Sequence, residues 1–186
     1  MMKQLFKSTF FITTAIVLFV VAITGVCLLV SSFIHEKPEV LYSFAVSARG
    51  LESSIGNTNL LSHTEELIAA IPTALTADTS EITIRIRHGM LIAHAYREDF
   101  FSVEPTDTTL SLYKSLLKEG TLLGNCYANL NYAWSAKQAE DLVSCNKYLD
   151  EARYLFEELK NIILQNKTDL DNLQFKAERE LSKREN

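Results

Sequence analysis

Three Ser-x-x-Lys pairs, Ser111–Lys114, Ser115–Lys118 and Ser144–Lys147, each place a hydroxyl one helical turn from an amine that could activate it. Acyl-transfer enzymes built on such a pair also carry Ser-Asp-Asn and Lys-Thr-Gly elements, and this chain has neither. Three copies in a helical chain containing many Ser and Lys residues read as chance. His88 and His94 are six residues apart, about 240° around a helix, so they do not face one metal ion. His94 and Glu98 share a face at i,i+4, a spacing that suits a surface hydrogen bond, and His63 falls in a cap region. There is no Gly-x-Gly-x-x-Gly, Walker loop, His-Glu-x-x-His or zinc-type Cys/His spacing. The expectation is a non-enzymatic protein with no catalytic, cofactor-binding or metal-ligating residues.

The three cysteines are Cys27, Cys126 and Cys145. Cys27 lies in an apolar segment, which leaves Cys126 and Cys145 as a pair that could form a disulfide in an oxidising compartment. On one unbroken helix they would be roughly 28 Å apart and unable to bond. If the chain turns near Ser135, they sit almost equidistant from the turn and could meet.

Residues 10–34 contain no charge and no proline. At about 1.5 Å rise per residue such a run spans a hydrocarbon core of about 30 Å with some tilt. It is longer than a signal-peptide core, and Val26 to Leu29 make a poor cleavage site. The sequence therefore predicts a short cytoplasmic tail (1–9) and a single-pass transmembrane anchor (10–34) that contacts membrane lipid. Lys3 and Lys7 precede the anchor, so the C-terminal domain is expected outside the cytoplasm. All 23 acidic residues follow position 34, against 16 of the 18 Lys and Arg, a net −7. That balance argues against nucleic acid as a partner, since counterion replacement needs a basic surface.

The remainder reads as helical. Pro38 suits a first helical turn, and Leu41, Phe44, Ala48 and Leu51 follow on one side. Gly56, Asn57 and Asn59 predict a break. Ser62–Glu65, Asp78–Glu81 and Ser135–Gln138 have capping-box spacing. Pro72 and Pro105 limit the helices that approach them. Residues 81–88 read two ways: Ile82, Ile84 and Ile86 alternate like a strand, whereas Ile82, Ile86, Met90, Ala93, Tyr96 and Phe100 fit a helix. No second alternating run offers a partner strand, so helix is the expectation. "LLGNCY" (122–127) has the Leu-Gly-x-x-Tyr spacing of a tetratricopeptide first helix, but its distance from "YLDEARYLFEEL" is wrong and no array is visible.

From Leu142 a heptad runs through Leu149, Phe156, Ile163 and Leu170, and through Cys145, Ala152, Leu159, Asn166 and Leu173. Tyr148, Leu155 and Ile162 widen the stripe to about three positions in seven, the width of a helix inside a bundle. Beyond Ile163 the flank becomes Asp169 and Lys176, and the stripe narrows. The expected fold is therefore all-α: the anchor, an extracytoplasmic helical bundle over 35–164 ending in a long C-terminal helix, and a charged helical extension over 165–186. Asn166, Leu170, Leu173 and Ala177 form a candidate partner-contact face in coiled-coil register. Its alternatives are a docking arm, for another membrane-complex protein or a second copy, and a solvated tail. Asn166-Lys167-Thr168 also fits a glycosylation acceptor. Two functional expectations follow. One is an assembly subunit of an envelope or membrane complex. The other is a sensor ectodomain that binds a small ligand within the bundle and signals through a partner.

Overall fold

The computed structural model describes residues 37–57, 59–75 and 79–185. The expected tail and anchor (1–9 and 10–34) lie outside these residues. Among the described residues no helix is long and apolar enough to cross a membrane. They form five α-helices and no strand: α1 (Pro38–Asn57), α2 (Leu60–Ala70), α3 (Thr79–Phe101), α4 (Leu110–Gln138) and α5 (Leu142–Glu185).

The breaks follow from local chemistry. Proline lacks the N–H that a first helical turn does not use, and α1 begins at Pro38. Between α1 and α2, Asn59 adopts the left-handed region at φ 51°, which Asn tolerates better than most residues. Its carbonyl accepts the His63 N–H at 2.9 Å. Thus α2 starts two residues before Ser62, and the Ser62–Glu65 capping box does not form. Pro72 follows Ile71, the C-cap of α2. Asp78 lies outside the described residues. Ser135 is not a cap either, because its hydroxyl donates back to the Asn131 carbonyl at 2.9 Å inside α4. The chain turns at Ala139–Asp141, with Glu140 at φ 60°. Asp141 then caps α5, its Oδ1 accepting the Ser144 N–H at 3.0 Å. These hydrogen bonds hold its carboxyl below the usual range.

The ambiguous segment 81–88 is helical throughout. The core side of α3 takes Ile82, Ile86, Gly89, Ala93, Tyr96 and Phe100, at steps of three and four. Ile84, the middle member of the strand-like alternation, is 66% exposed.

α3 and α4 run antiparallel and approach closely. A Cβ on Gly89 would lie 1.9 Å from the Tyr127 ring, and one on Gly120 would lie 2.8 Å from the Tyr96 ring. Only glycine permits these contacts. Trp134 donates its indole N–H to the Thr83 hydroxyl at 3.1 Å. The Tyr127 hydroxyl bonds to Thr64 of α2 at 2.8 Å. α4 carries the broadest buried stripe because α3 covers one side of it and α5 another.

The heptad of α5 is turned inward from Cys145 to Ala177, with Cys145, Leu149, Ala152, Phe156, Leu159, Asn166, Leu170 and Ala177 buried and Ile163 and Leu173 half-buried, whereas its expected first position, Leu142, is 58% exposed. There is no boundary at 164/165; one helix continues to Glu185. The first half packs on α4. Cys126 approaches the Ala152 carbonyl at 3.5 Å, and Ser115, near the start of α4, meets Asn166. Beyond Asn166 the partner is α1, laid antiparallel along α5. Arg49 pairs with Asp171, and Glu39 pairs with Arg184 at 3.0 Å. The expectation of a free partner face is therefore corrected. Asn166, Leu170 and Ala177 are fully buried and Leu173 is half-buried, because α4 meets Asn166 and α1 of the same chain lies along the face beyond it.

Candidate functional site

Asn166 interrupts the apolar heptad of α5 with an amide. On α4, Glu119 interrupts the stripe that runs from Leu116 to Leu123. The antiparallel pairing of the two helices brings these polar intrusions together. Asn166 donates through Nδ2 to Glu119 Oε2 at 2.7 Å, and its Oδ1 accepts the Ser115 hydroxyl at 2.6 Å. Glu119 Oε1 accepts the Tyr96 hydroxyl from α3 at 3.3 Å. Residues from α3, α4 and α5 thus surround one carboxyl, at the level where α5 passes from α4 to α1.

Glu119 is fully buried, and no Lys or Arg among the described residues pairs with it. An unpaired buried carboxylate is costly, so burial favours its neutral form. Burial pushes the Glu119 carboxyl up to about 7, and Glu52 adds to the rise, while donation from Asn166 and Tyr96 opposes it. Burial and the neighbouring Glu119 likewise hold the Tyr96 phenol well above its ordinary value.

Glu119 also forms part of the wall of a cleft of about 300 Å³. α1 contributes Arg49 and Glu52, and α5 contributes Lys167 and Asp171. Leu61 of α2 and Ile163 of α5 supply the apolar wall. Arg49 is committed to Asp171. Lys167 and Glu52 influence each other electrostatically yet form no ion pair. Burial raises the Glu52 carboxyl; Lys167 and Arg49 pull it down, and Asp171 pushes it up. A larger groove of about 630 Å³ lies between α1 and residues 102–104, but its wall contains no buried polar group. The smaller cleft is therefore the one whose wall carries buried ionisable chemistry.

The residues singled out by spacing do not assemble into other sites. The Ser115 hydroxyl is used by Asn166, and Lys118 pairs with Glu158 at 2.6 Å, so no Ser–Lys dyad forms there. His94 and Glu98 make a 3.7 Å surface contact. Among the described residues no cluster of three or more His, Cys, Asp or Glu could hold a metal ion. Asn166 is buried and its amide engaged, so the folded chain does not present it as a glycosylation acceptor.

Cys126 and Cys145 are both buried free thiols. The expected hairpin exists, but its turn lies at Ala139–Asp141 rather than at Ser135. Cys145 therefore sits much nearer the turn than Cys126, which is level with Ala152 instead. Burial pushes the Cys126 thiol up to about 12, which makes it a poor nucleophile.

Spacing alone did not mark Glu119. The available signal was a charged residue at i+3 from one buried leucine and i−4 from another. Comparison with known proteins adds no relative: no family model, curated protein or solved structure matches this chain.

Proposed function

We propose that residues 38–185 are the non-enzymatic ligand-binding domain of a membrane-tethered sensor, which takes a small polar molecule into the cleft between α1, α2, α4 and α5 and passes its state to a partner protein. One observation carries this reading: the buried Glu119 carboxyl, held by Asn166 and Tyr96, lies in the wall of a cleft that also contains Glu52 and Lys167, and none of the three has an ion-pair partner among the described residues. Buried ionisable groups that converge on a concave surface are a general mark of binding sites. Among the described lining residues there is no Cys or His, and the hydroxyl of Ser53 donates to the Gly50 carbonyl at 2.9 Å, so the arrangement favours binding over nucleophilic chemistry. The tether is the apolar run 10–34 of the sequence.

The test is a thermal-melting screen of the full chain in detergent against small polar metabolites. The reading expects a saturable rise in Tm with at least one compound, abolished by Glu119→Gln. If no compound in a broad screen shifts Tm, it is overturned.

The assembly-subunit reading rests on a different observation. Leu164 and Phe175 are 67% and 68% exposed. They are eleven residues apart on α5, which places them on nearly one side of the helix. Native mass of the full chain, gently solubilised from its own membrane, tests this second reading. A stoichiometric second protein lost on Leu164→Ser and Phe175→Ser substitution would support it, and a lone chain would remove it.

A further inference from the structure

We infer that the ligand of the Glu119 cleft is a small zwitterion, a free amino acid or a compact derivative, whose ammonium meets Glu52 in the field of the buried Glu119 behind it and whose carboxylate meets Lys167. The inference rests on the ligand-binding reading above and names the ligand class.

The size of the cleft sets the scale. About 300 Å³ is at the lower end of the range for ligand pockets, too small for a nucleotide or an oligosaccharide. The charges set the class. Four ionised side chains line the cleft besides Glu119, but Arg49 and Asp171 neutralise each other. That leaves Glu52 and Lys167, opposite in sign and each without a hydrogen bond or ion pair among the described residues. Oppositely charged side chains across a narrow cleft ordinarily close into a pair; a ligand carrying both charges can meet both at once. A simple anion would meet two carboxyls, and a simple amine would leave Lys167 facing a like charge. Leu61 and Ile163 give a short aliphatic side chain an apolar wall.

Glu119 adds a recognisable consequence. Its carboxyl titrates at about 7 because it is buried without a counter-charge. An ammonium placed beside it favours the ionised form, so binding near neutral pH expels part of a proton to solvent. The groups surrounding Glu119 are Tyr96 from α3, Asn166 from α5 and Glu52 from α1, and none of them supplies that positive charge.

The deciding experiment is isothermal titration of the full chain in detergent at pH 7 with L-alanine, L-valine and L-leucine. It is repeated with 3-methylbutylamine and 4-methylpentanoate, which are leucine without its carboxylate and without its ammonium. At least one amino acid is expected to bind saturably. Both truncated leucines should bind about tenfold or more weakly, as the loss of one charged hydrogen bond implies. Lys167→Met and Glu52→Gln, at exposed and half-buried positions, should weaken amino-acid binding while leaving the unliganded Tm nearly unchanged. Titration in two buffers of different ionisation enthalpy should show proton release in the parent chain and none in Glu119→Gln. Equal binding of the amine and the amino acid would overturn the zwitterion. If no amino acid binds but another compound from the melting screen does, the ligand class falls and the binding reading stands. If nothing binds in either experiment, both fall.

Discussion

Two of the long antiparallel seams of this protein, α3 against α4 and α1 against α5, are built differently. Between α3 and α4 the contact is close and largely apolar, with Gly89 against the Tyr127 ring and Gly120 against the Tyr96 ring. Phe100 packs between Tyr96 at 5.3 Å and Tyr113 at 6.0 Å. Between α1 and α5 exposed ion pairs cross the seam, and a polar cleft flanks it. Interiors packed at near-crystalline density resist displacement, whereas exposed ion pairs contribute little and re-form easily. The comparison separates a seam closed by ring-on-glycine contacts, α3 against α4, from one whose polar contacts face solvent, α1 against α5, along which the proposed cleft opens.

Substitution in the close seam should produce the largest losses. Phe100→Ala removes a fully buried ring and is expected to destabilise by about 4 kcal/mol, read from chemical denaturation at unchanged slope. An effect below about 1 kcal/mol would mean that this seam is not closely packed.

The glycines sharpen the point. Gly→Ala in a helix ordinarily stabilises by about 1 kcal/mol. At Gly89 the new methyl would collide with the Tyr127 ring, so Gly89→Ala should instead cost about 3 kcal/mol. At Gly124 the nearest atom to a new Cβ is the Ala93 Cβ at 3.9 Å, an ordinary contact. Gly124→Ala should therefore keep the propensity gain. Tm values of the two variants should move in opposite directions.

At the meeting of the two seams, Glu119 should make stability depend on pH. Its folded value is raised to about 7 from 4.5, so between those values the folded chain holds a proton that the unfolded chain releases. Stability contributed by this group therefore falls as pH rises from about 4.5 to about 7, on the order of 3 kcal/mol in total. Urea denaturation across that range should show the decline in the parent chain and a flatter profile in Glu119→Gln. Identical profiles would show that the carboxyl is not held neutral by burial.

The smallest effects belong to the ion pairs across α1 and α5. Both members of the Glu39–Arg184 pair are more than half exposed, and Arg184→Ala should cost less than about 1 kcal/mol, and less still in high salt. A loss comparable to that of Phe100→Ala would erase the distinction between the seams.

Much of the architecture was legible in the chain. The helical periods, the proline and asparagine breaks and the heptad register of α5 to Ala177 are properties of nearby residues, and they stand in the folded protein. Helix over 81–88 followed from the absence of a partner strand. The turn before α5 lies a few residues beyond its expected place, because Ser135–Gln138 has capping-box spacing but stays inside α4, and Asp141 caps α5 instead. That difference decided that Cys126 and Cys145 do not meet. Asn166 stood out in its heptad, whereas Glu119 did not, because a single acid within a broad leucine-rich stripe has no period of its own.

The sequence by itself determined which faces are apolar and how wide each is, because side-chain periodicity is set by the local backbone. Tertiary structure alone decided what covers each face. The broad stripe of α5 up to Ile163 packs on α4, and the narrow stripe beyond it has a different neighbour. Width does not say which. The neighbour is α1 of the same chain, more than a hundred residues away, and that folding-back closes the cleft around Glu119.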